Sequence, residues 1–324
     1  MSQPADPTEA ELIGYFDELS NWGRWGDHDE LGTLNLITDE HRRRAAGLIH
    51  TGRSVSCAWD IDTSTQPDDG GGTPRRLMVT TGQGLADPAR GRALGREALP
   101  RGASASEYWF LHPHGYRLTH LDGLSHIFWD GRMYNNRPAE LVTSALGATE
   151  LDLTPTRDGI ITRAILVDAA AHRGVDWIEP GDGVRRAEVE EILRGHDLTV
   201  GPGDALLLRT GYGAKVRRQG RDHVIRDGRS GWHADCLPWL RANDIALVAA
   251  DTAQDIGPSG YPAFSHPIHT IGIVAMGLWL VDNCDLEAIA RTCRELNRWE
   301  FALTVAPIAF VGATCSPVNP LAVF

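Results

Sequence analysis

The order of apolar and amphipathic runs after Gly159 constrains the fold more than any other feature of the sequence. The strand-like run ITRAILVDAA is followed by the helical pattern VRRAEVEEILRG, and the run DALLLRTG by the pattern HADCLPWLRAN. A further apolar run, IALVAAD, comes next. Alternation of this kind is typical of α/β proteins, in which helices cover a sheet. No break in composition divides the chain, so we predict one α/β domain over residues 1–324.

The first part of the chain predicts two helices, which form an N-terminal extension over about residues 1–50. Thr8 and Glu11 have the spacing of a capping box, and apolar residues follow them at the helical period. A second helix is predicted over residues 39–49, with Thr38 as its cap.

Short β-rich runs predict strands between these helices and the α/β region, at residues 54–60, 76–82, 107–112 and 117–122. Residues 66–75 and 83–104 have the composition of loops. Long loops inside a compact domain are often lids or binding loops. We therefore expect these two segments to cover a site.

The composition excludes several classes of protein. Lys and Arg number 31 against 43 Asp and Glu, and the net charge of −12 argues against nucleic-acid binding. The five cysteines form no C-x-x-C pair, so neither a disulfide framework nor a structural zinc site is expected. Neither an export signal nor an apolar run long enough for a membrane is found, which predicts a cytoplasmic protein without a membrane partner.

Histidine is concentrated in the string HPHGYRLTHLDGLSH. If residues 117–122 form a strand, His120 and Asp122 project from the same face and make half of a metal site. His114 can supply a third ligand if the strand continues through it, and His126, beyond the turn at Gly123, can transfer protons. The alternative is a hydrogen-bonded His–Asp pair flanked by surface histidines, and the string alone leaves both interpretations open.

The string THLDGLSH resembles the H-x-G-T-H-x-D-x-x-x-H signature of the metal-dependent cyclase family, which contains bacterial kynurenine formamidase, isatin hydrolase and trans-dienelactone hydrolase. Residues 21–38, the run GDALLLRTGYG and the run GATCSPVNPLAVF resemble blocks of its longer members. The resemblance implies the swivelling β/β/α fold, a barrel-like mixed sheet with helices packed outside.

The resemblance also implies roles for single residues. His120 and Asp122 are expected to bind metal, and His126 to be the general acid and base. The first histidine of the short signature falls on Tyr116 in this chain. We therefore predict that His114 is the remaining ligand and that Tyr116 contacts substrate or water, although the sequence leaves open which of the two completes the ligand set.

Residues of the second half are expected to contribute to the same site. His269 and Asp282 match the positions of two further ligands, with a solvated carboxylate as the alternative for Asp282. The cofactor is expected to be one divalent cation, zinc or manganese, or two. Trp129 is predicted to contact substrate, whereas a solvated position is favoured for Arg209, and Asp251 follows a strand where α/β proteins gather site residues.

The function implied by the resemblance is hydrolysis of an amide, lactam or lactone bond in a small, cyclic or aromatic substrate, by attack of metal-bound water. A homodimer or homotetramer is implied as well. Two alternatives stay open at this point. One is a cyclase or dehydratase that uses the same site without net hydrolysis, and the other is a metal-free protein that only binds a ligand or a partner.

Overall fold

A nine-stranded, curled sheet forms the centre of the protein, and the computed structural model describes residues 6–64, 72–83, 104–221 and 227–324. The strands, in chain order, are β1 Ser54–Ser56, β2 Arg75–Thr80, β3 Ser106–Phe110, β4 His120–Asp122, β5 Val142–Thr143, β6 Gly147–Ala148, β7 Ile160–Asp168, β8 Gly183–Val184, β9 Ala205–Arg209, β10 Gly231–Trp232, β11 Leu247–Ala250, β12 Trp279–Asp282, β13 Glu300–Val305, β14 Cys315–Pro317 and β15 Leu321–Val323. The central sheet has the order β1, β15, β13, β7, β9, β11, β12, β4, β14.

Four parallel strands, β7, β9, β11 and β12, form the middle of this sheet. Every residue of β9, β11 and β12 is buried, as expected for apolar strands that are covered on both faces. Antiparallel strands extend the sheet on both sides, with β13, β15 and β1 beyond β7, and β4 and β14 beyond β12.

Helices lie outside the sheet. Those in the described parts of the chain are α1 Glu9–Glu18, α2 Asp39–Ala46, α3 Ala169–His172, α4 Arg186–Gly195, α5 Tyr212–Gln219, α6 Leu237–Ala242, α7 Pro267–Ile271 and α8 Glu287–Leu296. The α/β class and the barrel-like mixed sheet with outer helices are therefore confirmed. No helix among these is long and apolar enough to cross a membrane. The single domain and its N-terminal extension stay a prediction.

Several elements are shorter in the structure than the sequence predicts, and the strand predicted over 54–60 spans only Ser54–Ser56. Helix α1 has the capping box expected of Thr8, but α2 ends at Ala46 because the next residues form tight turns, with the Leu48 amide bonded to the Ala45 carbonyl. The strand predicted over 117–122 begins only at His120. The predicted covering loops, residues 66–75 and 83–104, lie largely outside the described residues.

The segment before α2 packs so closely on the sheet that its backbone leaves no room for a side chain. Gly32 has a φ of +52°, and a Cβ atom there would lie 2.3 Å from the carbonyl oxygen of Gly277. The amide of Thr33 donates to the same oxygen at 2.9 Å, and its hydroxyl donates to the carbonyl of Ala246 at 2.7 Å. Glycine at position 32 therefore permits the N-terminal segment to dock.

Strands β2 and β3 form a two-stranded antiparallel ribbon that is separate from the central sheet. Arg75 lies opposite Phe110 and Leu77 opposite Tyr108, so these side chains share one face. All residues of both strands are exposed. An isolated two-stranded ribbon is at most marginally stable in water by itself.

Candidate metal centre

Strand β4 holds two of the predicted ligands on one face. His120 and Asp122 project to the same side, and His120 Nε2 lies 3.4 Å from Asp122 Oδ1. In the antiparallel pairing of β4 with β12, Asp282 lies directly opposite His120. Residues directly opposite each other share a face, so the strand register brings Asp282 to this pair. Asp282 is buried, and the alternative of a solvated carboxylate is wrong.

The carboxylate of Asp122 lies at the centre of the site. Its Oδ1 lies 3.0 Å from His114 Nδ1 and 4.0 Å from His126 Nε2, and its Oδ2 lies 3.4 Å from His269 Nε2. The side chain is 1% exposed, yet neither oxygen accepts a hydrogen bond from the residues that the structure describes. A buried carboxylate in this state is the kind of group that a bound cation completes.

His120 and His114 are each held through one ring nitrogen, which leaves the other nitrogen turned toward Asp122. Nδ1 of His120 donates to the carbonyl of Leu118 at 2.9 Å, and Nε2 of His114 lies 2.9 Å from the hydroxyl oxygen of Thr314. Contacts of this kind orient the imidazole ligands of metal sites and set their tautomers. The carbonyl of Leu118 can only accept, so it leaves His120 Nε2 unprotonated in the neutral ring and able to bind a cation, while His114 Nδ1 faces Asp122.

His269 is oriented in the same way, by a carboxylate. Its Nδ1 lies 2.5 Å from Asp255 Oδ2, and its Nε2 lies 3.2 Å from Asp282 Oδ2. Asp255 is fully buried and also accepts hydrogen bonds from the amides of Ile268 and His269. No short motif in the sequence predicts this role of Asp255. Its position shortly after β11, near the carboxyl ends of the parallel strands, is the signal that could have indicated one.

Gln254 is a second residue that the sequence analysis missed. Its side-chain amide donates to Asp282 Oδ1 at 2.9 Å and to the carbonyl of Val281 at 2.8 Å. The residue lies after β11 and has a φ of +48°. No short motif surrounds it, so only the fold identifies it.

The charges of the site shift several pKa values. Burial raises the pKa of Asp122, but the nearby imidazoles outweigh this effect and hold it well below the usual range. Burial lowers the pKa of His269, but Asp282 and Asp122 outweigh that effect and raise it well above its usual value. Burial lowers the pKa of His126 to about 4, and the opposing charge of Asp122 is too weak to restore it. His126 is therefore neutral at neutral pH.

His114 reaches the site from a turn and not from a continuous strand. The strand does not pass through residue 114, because Pro113 and Gly115 lie in a turn closed by the bond from the Gly115 amide to the His112 carbonyl. The ring of His114 stacks on that of His126 at a centroid distance of 3.6 Å. The parity argument for His114 was thus wrong, although the residue does lie beside Asp122.

Tyr116, predicted as a contact of substrate or water, lies in the same turn region, and this role stays a prediction. Trp129, also predicted to contact substrate, stacks with Phe16 of α1 and with Phe264, at centroid distances of 4.8 and 4.6 Å. These two rings lie only 6.2 Å from each other, so they do not cover opposite faces of Trp129. A substrate contact by Trp129 stays a prediction.

Two other residues that the sequence analysis considered lie apart from the site. Arg209 is buried and forms ion pairs with Asp168 at 2.7 Å and Glu287 at 2.9 Å, so its solvated interpretation was wrong. Asp251 accepts hydrogen bonds from three successive amides, beginning with that of Thr210, at the start of α5. It therefore caps a helix, as a carboxylate at a helix N-terminus often does.

Two overlapping groups of possible ligand atoms share Asp122. His114, Asp122 and His126 form one, and His120, Asp122 and Asp282 form the other, with all ligand atoms of each group within 4.8 Å of one another. The geometry therefore permits one cation or two, and it permits His126 to bind metal as well as to move protons. His269 Nε2 lies 3.4 Å from Oδ2 of Asp122, the residue that the two groups share.

Comparison with known proteins agrees with this fold. The Cyclase family model matches residues 58–254. A crystal structure described as a novel cyclase shares 31% sequence identity, with 95% of this chain and 99% of that chain covered, at a TM-score of 0.83. No curated protein matches the chain.

More distant solved structures share the fold alone. An isatin hydrolase bound to the product analogue thioisatinate is 14% identical over 88% of this chain and 98% of its own, with a TM-score of 0.56. Isatin hydrolase A from Labrenzia aggregata, bound to benzyl benzoate, is 15% identical over 86% and 94%, with a TM-score of 0.54.

Proposed function

Because this chain belongs to the cyclase family, we propose that it is a metal-dependent hydrolase that opens an amide, lactam or lactone bond of a small, cyclic or aromatic substrate. The observation that carries the proposal is the state of Asp122, whose two buried oxygens lie within 4.0 Å of four imidazoles and accept no hydrogen bond from the described residues. Such a carboxylate is costly to bury unless a cation completes it. The fold is also one that isatin hydrolases have.

The donor set fits a divalent cation. We propose that His114, His120, Asp122, His269 and Asp282 hold one or two such ions, because imidazole nitrogens and carboxylate oxygens suit both zinc and manganese. When bound, the cation supplies Lewis acidity, which lowers the pKa of a water molecule and polarises the substrate carbonyl.

His126 is the proposed carrier of protons. Its side chain is 26% exposed, against 18% for His114, 4% for His120 and 6% for His269, so it is the most accessible imidazole around Asp122. Because its pKa is lowered to about 4, the ring is neutral and accepts a proton at Nε2. The protonated ring then donates to the leaving nitrogen or oxygen of the substrate.

The test combines metal analysis with a search for turnover. Protein purified without a chelator or a metal-binding tag is analysed for metal per chain by mass spectrometry, and then tested against a panel of formamides, lactams and lactones. We expect at least one equivalent of metal, and a product that is heavier than its substrate by one water. His120→Ala should lose both metal and turnover, whereas His172→Ala, far from the site on α3, should keep both.

The competing functions give different results in the same experiment. A cyclase or dehydratase yields a product that has lost water or kept its mass. A metal-free binding protein takes up neither zinc nor manganese when they are added, and that result would remove the proposal.

We also propose that the protein is a homodimer that uses the ribbon of β2 and β3. On one face of the ribbon, Leu77, Val79, Tyr108 and Phe110 are 56–62% exposed. Each aromatic side chain can bury roughly 150–250 Å², so the ribbon offers a large part of the roughly 800 Å² per partner that a stable interface needs. A second copy presents the same apolar face, which makes a two-fold contact self-complementary.

A further inference from the structure

Arg229 lies beside the candidate metal centre, and the proposed hydrolysis does not use it. Its guanidinium carbon lies 6.0 Å from the centre of the Tyr116 ring. Asp255, whose carbonyl oxygen accepts a hydrogen bond from Arg229 Nε, also orients the proposed ligand His269. Arg229 and Tyr116 therefore lie close to each other, and Arg229 lies next to the residue that orients His269.

The position of Arg229 is fixed by the loop segment that contains Asp255 and Gly257. Its Nε donates to the carbonyl oxygen of Asp255 at 2.9 Å. Its backbone forms a pair of hydrogen bonds with Gly257, at 2.9 and 3.0 Å. These bonds hold the guanidinium group against the residue that orients His269.

The outer nitrogens of Arg229 have no anionic partner within the described part of the chain. Arg229 is half-buried and forms no ion pair with any described carboxylate. By contrast, the buried Arg209 is paired with two carboxylates. A half-buried guanidinium group with two open donors matches a planar carboxylate, which accepts two parallel hydrogen bonds.

The negative charge of the site makes a guanidinium group useful for the recognition of an anionic substrate. Asp122, Asp255 and Asp282 bring three carboxylates into contact with His269. When one divalent cation is bound, it compensates two of these three charges, and the remaining negative charge would repel an anionic substrate unless a fixed cation met it. Arg229 is a fixed cation beside this cluster.

From this arrangement we propose that Arg229, together with Tyr116, binds a carboxylate group of the substrate. The substrate class is then a cyclic or aromatic amide, lactam or lactone that carries a carboxylate away from the bond that is opened. The inference rests on the proposed function, which puts the bond that is opened at the candidate metal centre. The position of the substrate carboxylate follows from the geometry around Arg229.

Aromatic dicarboxylates test the inference without knowledge of the substrate. Phthalate, isophthalate and terephthalate hold two carboxylates at increasing separations, so that one carboxylate can approach the metal centre while the other meets Arg229. Each is titrated calorimetrically into the full-length protein supplied with zinc. We expect at least one of them to bind, and to lose about 10- to 100-fold in affinity in Arg229→Gln, because a charge-assisted pair of hydrogen bonds is removed.

Two further variants control this experiment. Arg186→Gln removes an exposed arginine of α4 that pairs with Glu190, and it should leave the affinity unchanged. Arg229→Lys keeps the charge without the planar pair of donors and should fall between wild type and Arg229→Gln. The inference is overturned if no dicarboxylate binds the wild type, or if Arg229→Gln binds the best of them as tightly as the wild type does.

The zinc content of the same samples separates this inference from the proposed function. Protein that takes up zinc but shows no effect at Arg229 overturns the carboxylate subsite alone. Protein that takes up no zinc, yet loses dicarboxylate binding in Arg229→Gln, overturns the proposed function alone.

Discussion

Nδ1 of His269 and Oδ2 of Asp255 are joined by a hydrogen bond of 2.5 Å between two buried side chains. The bond turns the opposite nitrogen of His269 toward Asp122 and Asp282. The orientation of one proposed ligand therefore depends on a residue that binds no metal itself.

Asp255→Asn should weaken the binding of zinc about 10- to 100-fold, because residues that orient ligands through a hydrogen bond have effects of this size. The affinity is measured by competition with a chromophoric chelator. Asp235→Asn is the matched control, since Asp235 lies 3.0 Å from a nitrogen of His233 outside the site and should leave zinc binding unchanged. Equal zinc affinities for Asp255→Asn and wild type would contradict the orienting role.

Arg209→Met should lower the free energy of unfolding by about 3–5 kcal/mol, because it leaves Asp168 and Glu287 buried without their cation. Unfolding in urea measures the change. Arg24→Met, which breaks the half-exposed pair with Asp244, should cost only about 0–1 kcal/mol. Similar losses in the two variants would show that the buried ion pairs contribute no more than a surface pair.

The pH dependence of kcat/KM should report the lowered pKa of His126. A base works only when it is unprotonated, so the rate should hold through mildly acidic pH and fall as the pH decreases toward about 4. Metal content must be measured at each pH, so that loss of the cation is not mistaken for protonation of His126. A decline centred at the ordinary pKa of histidine, with metal still bound, would argue against a buried, neutral His126.

Gly32→Ala should destabilise the protein by about 1–3 kcal/mol, because a Cβ atom at this positive φ meets the carbonyl oxygen of Gly277. Thermal unfolding of the two proteins gives the difference. Gly52→Ala separates the strain of a positive φ from the contact with a neighbouring atom, since Gly52 has a φ of +71° but nothing within 4 Å of the added Cβ. A smaller loss for Gly32→Ala than for Gly52→Ala would mean that the close packing at Gly32 relaxes freely.

Phe110→Asp should shift the protein from dimer to monomer, because it places a charge in the proposed apolar contact of the ribbon. Analytical ultracentrifugation over a range of concentrations measures the change. Val175→Asp adds the same charge at another exposed apolar residue and should leave the dimer intact. A wild type that is monomeric at every concentration would remove the proposed ribbon contact.

The sequence predicts the parts of this structure that depend on local patterns. The buried strands β9 and β11 follow from apolar runs, and the capping box follows from Thr8 and Glu11, which are three residues apart. His120 and Asp122 lie on one face because residues two apart on a strand always do. These relations need no knowledge of the rest of the chain.

Residues that act through distant neighbours were not predictable in this way. Asp255 and Gln254 meet His269 and Asp282 only after separate segments pack together, and no spacing in the sequence encodes those contacts. Arg209 was assigned to solvent because arginines are abundant in this chain, whereas its two buried carboxylate partners come from β7 and α8. His114 was placed on a strand that in fact begins six residues later, at His120.

The place of β4 in the central sheet bears on how the protein is made. Both neighbours of β4, β12 and β14, come much later in the chain, and β1 likewise pairs with a late strand, β15. While the ribosome is still producing the second half, His120 and Asp122 sit on a segment that has no strand to pair with. Such segments are exposed to aggregation before they find their partners. A stalled or truncated translation product would therefore carry the signature histidines without a working site.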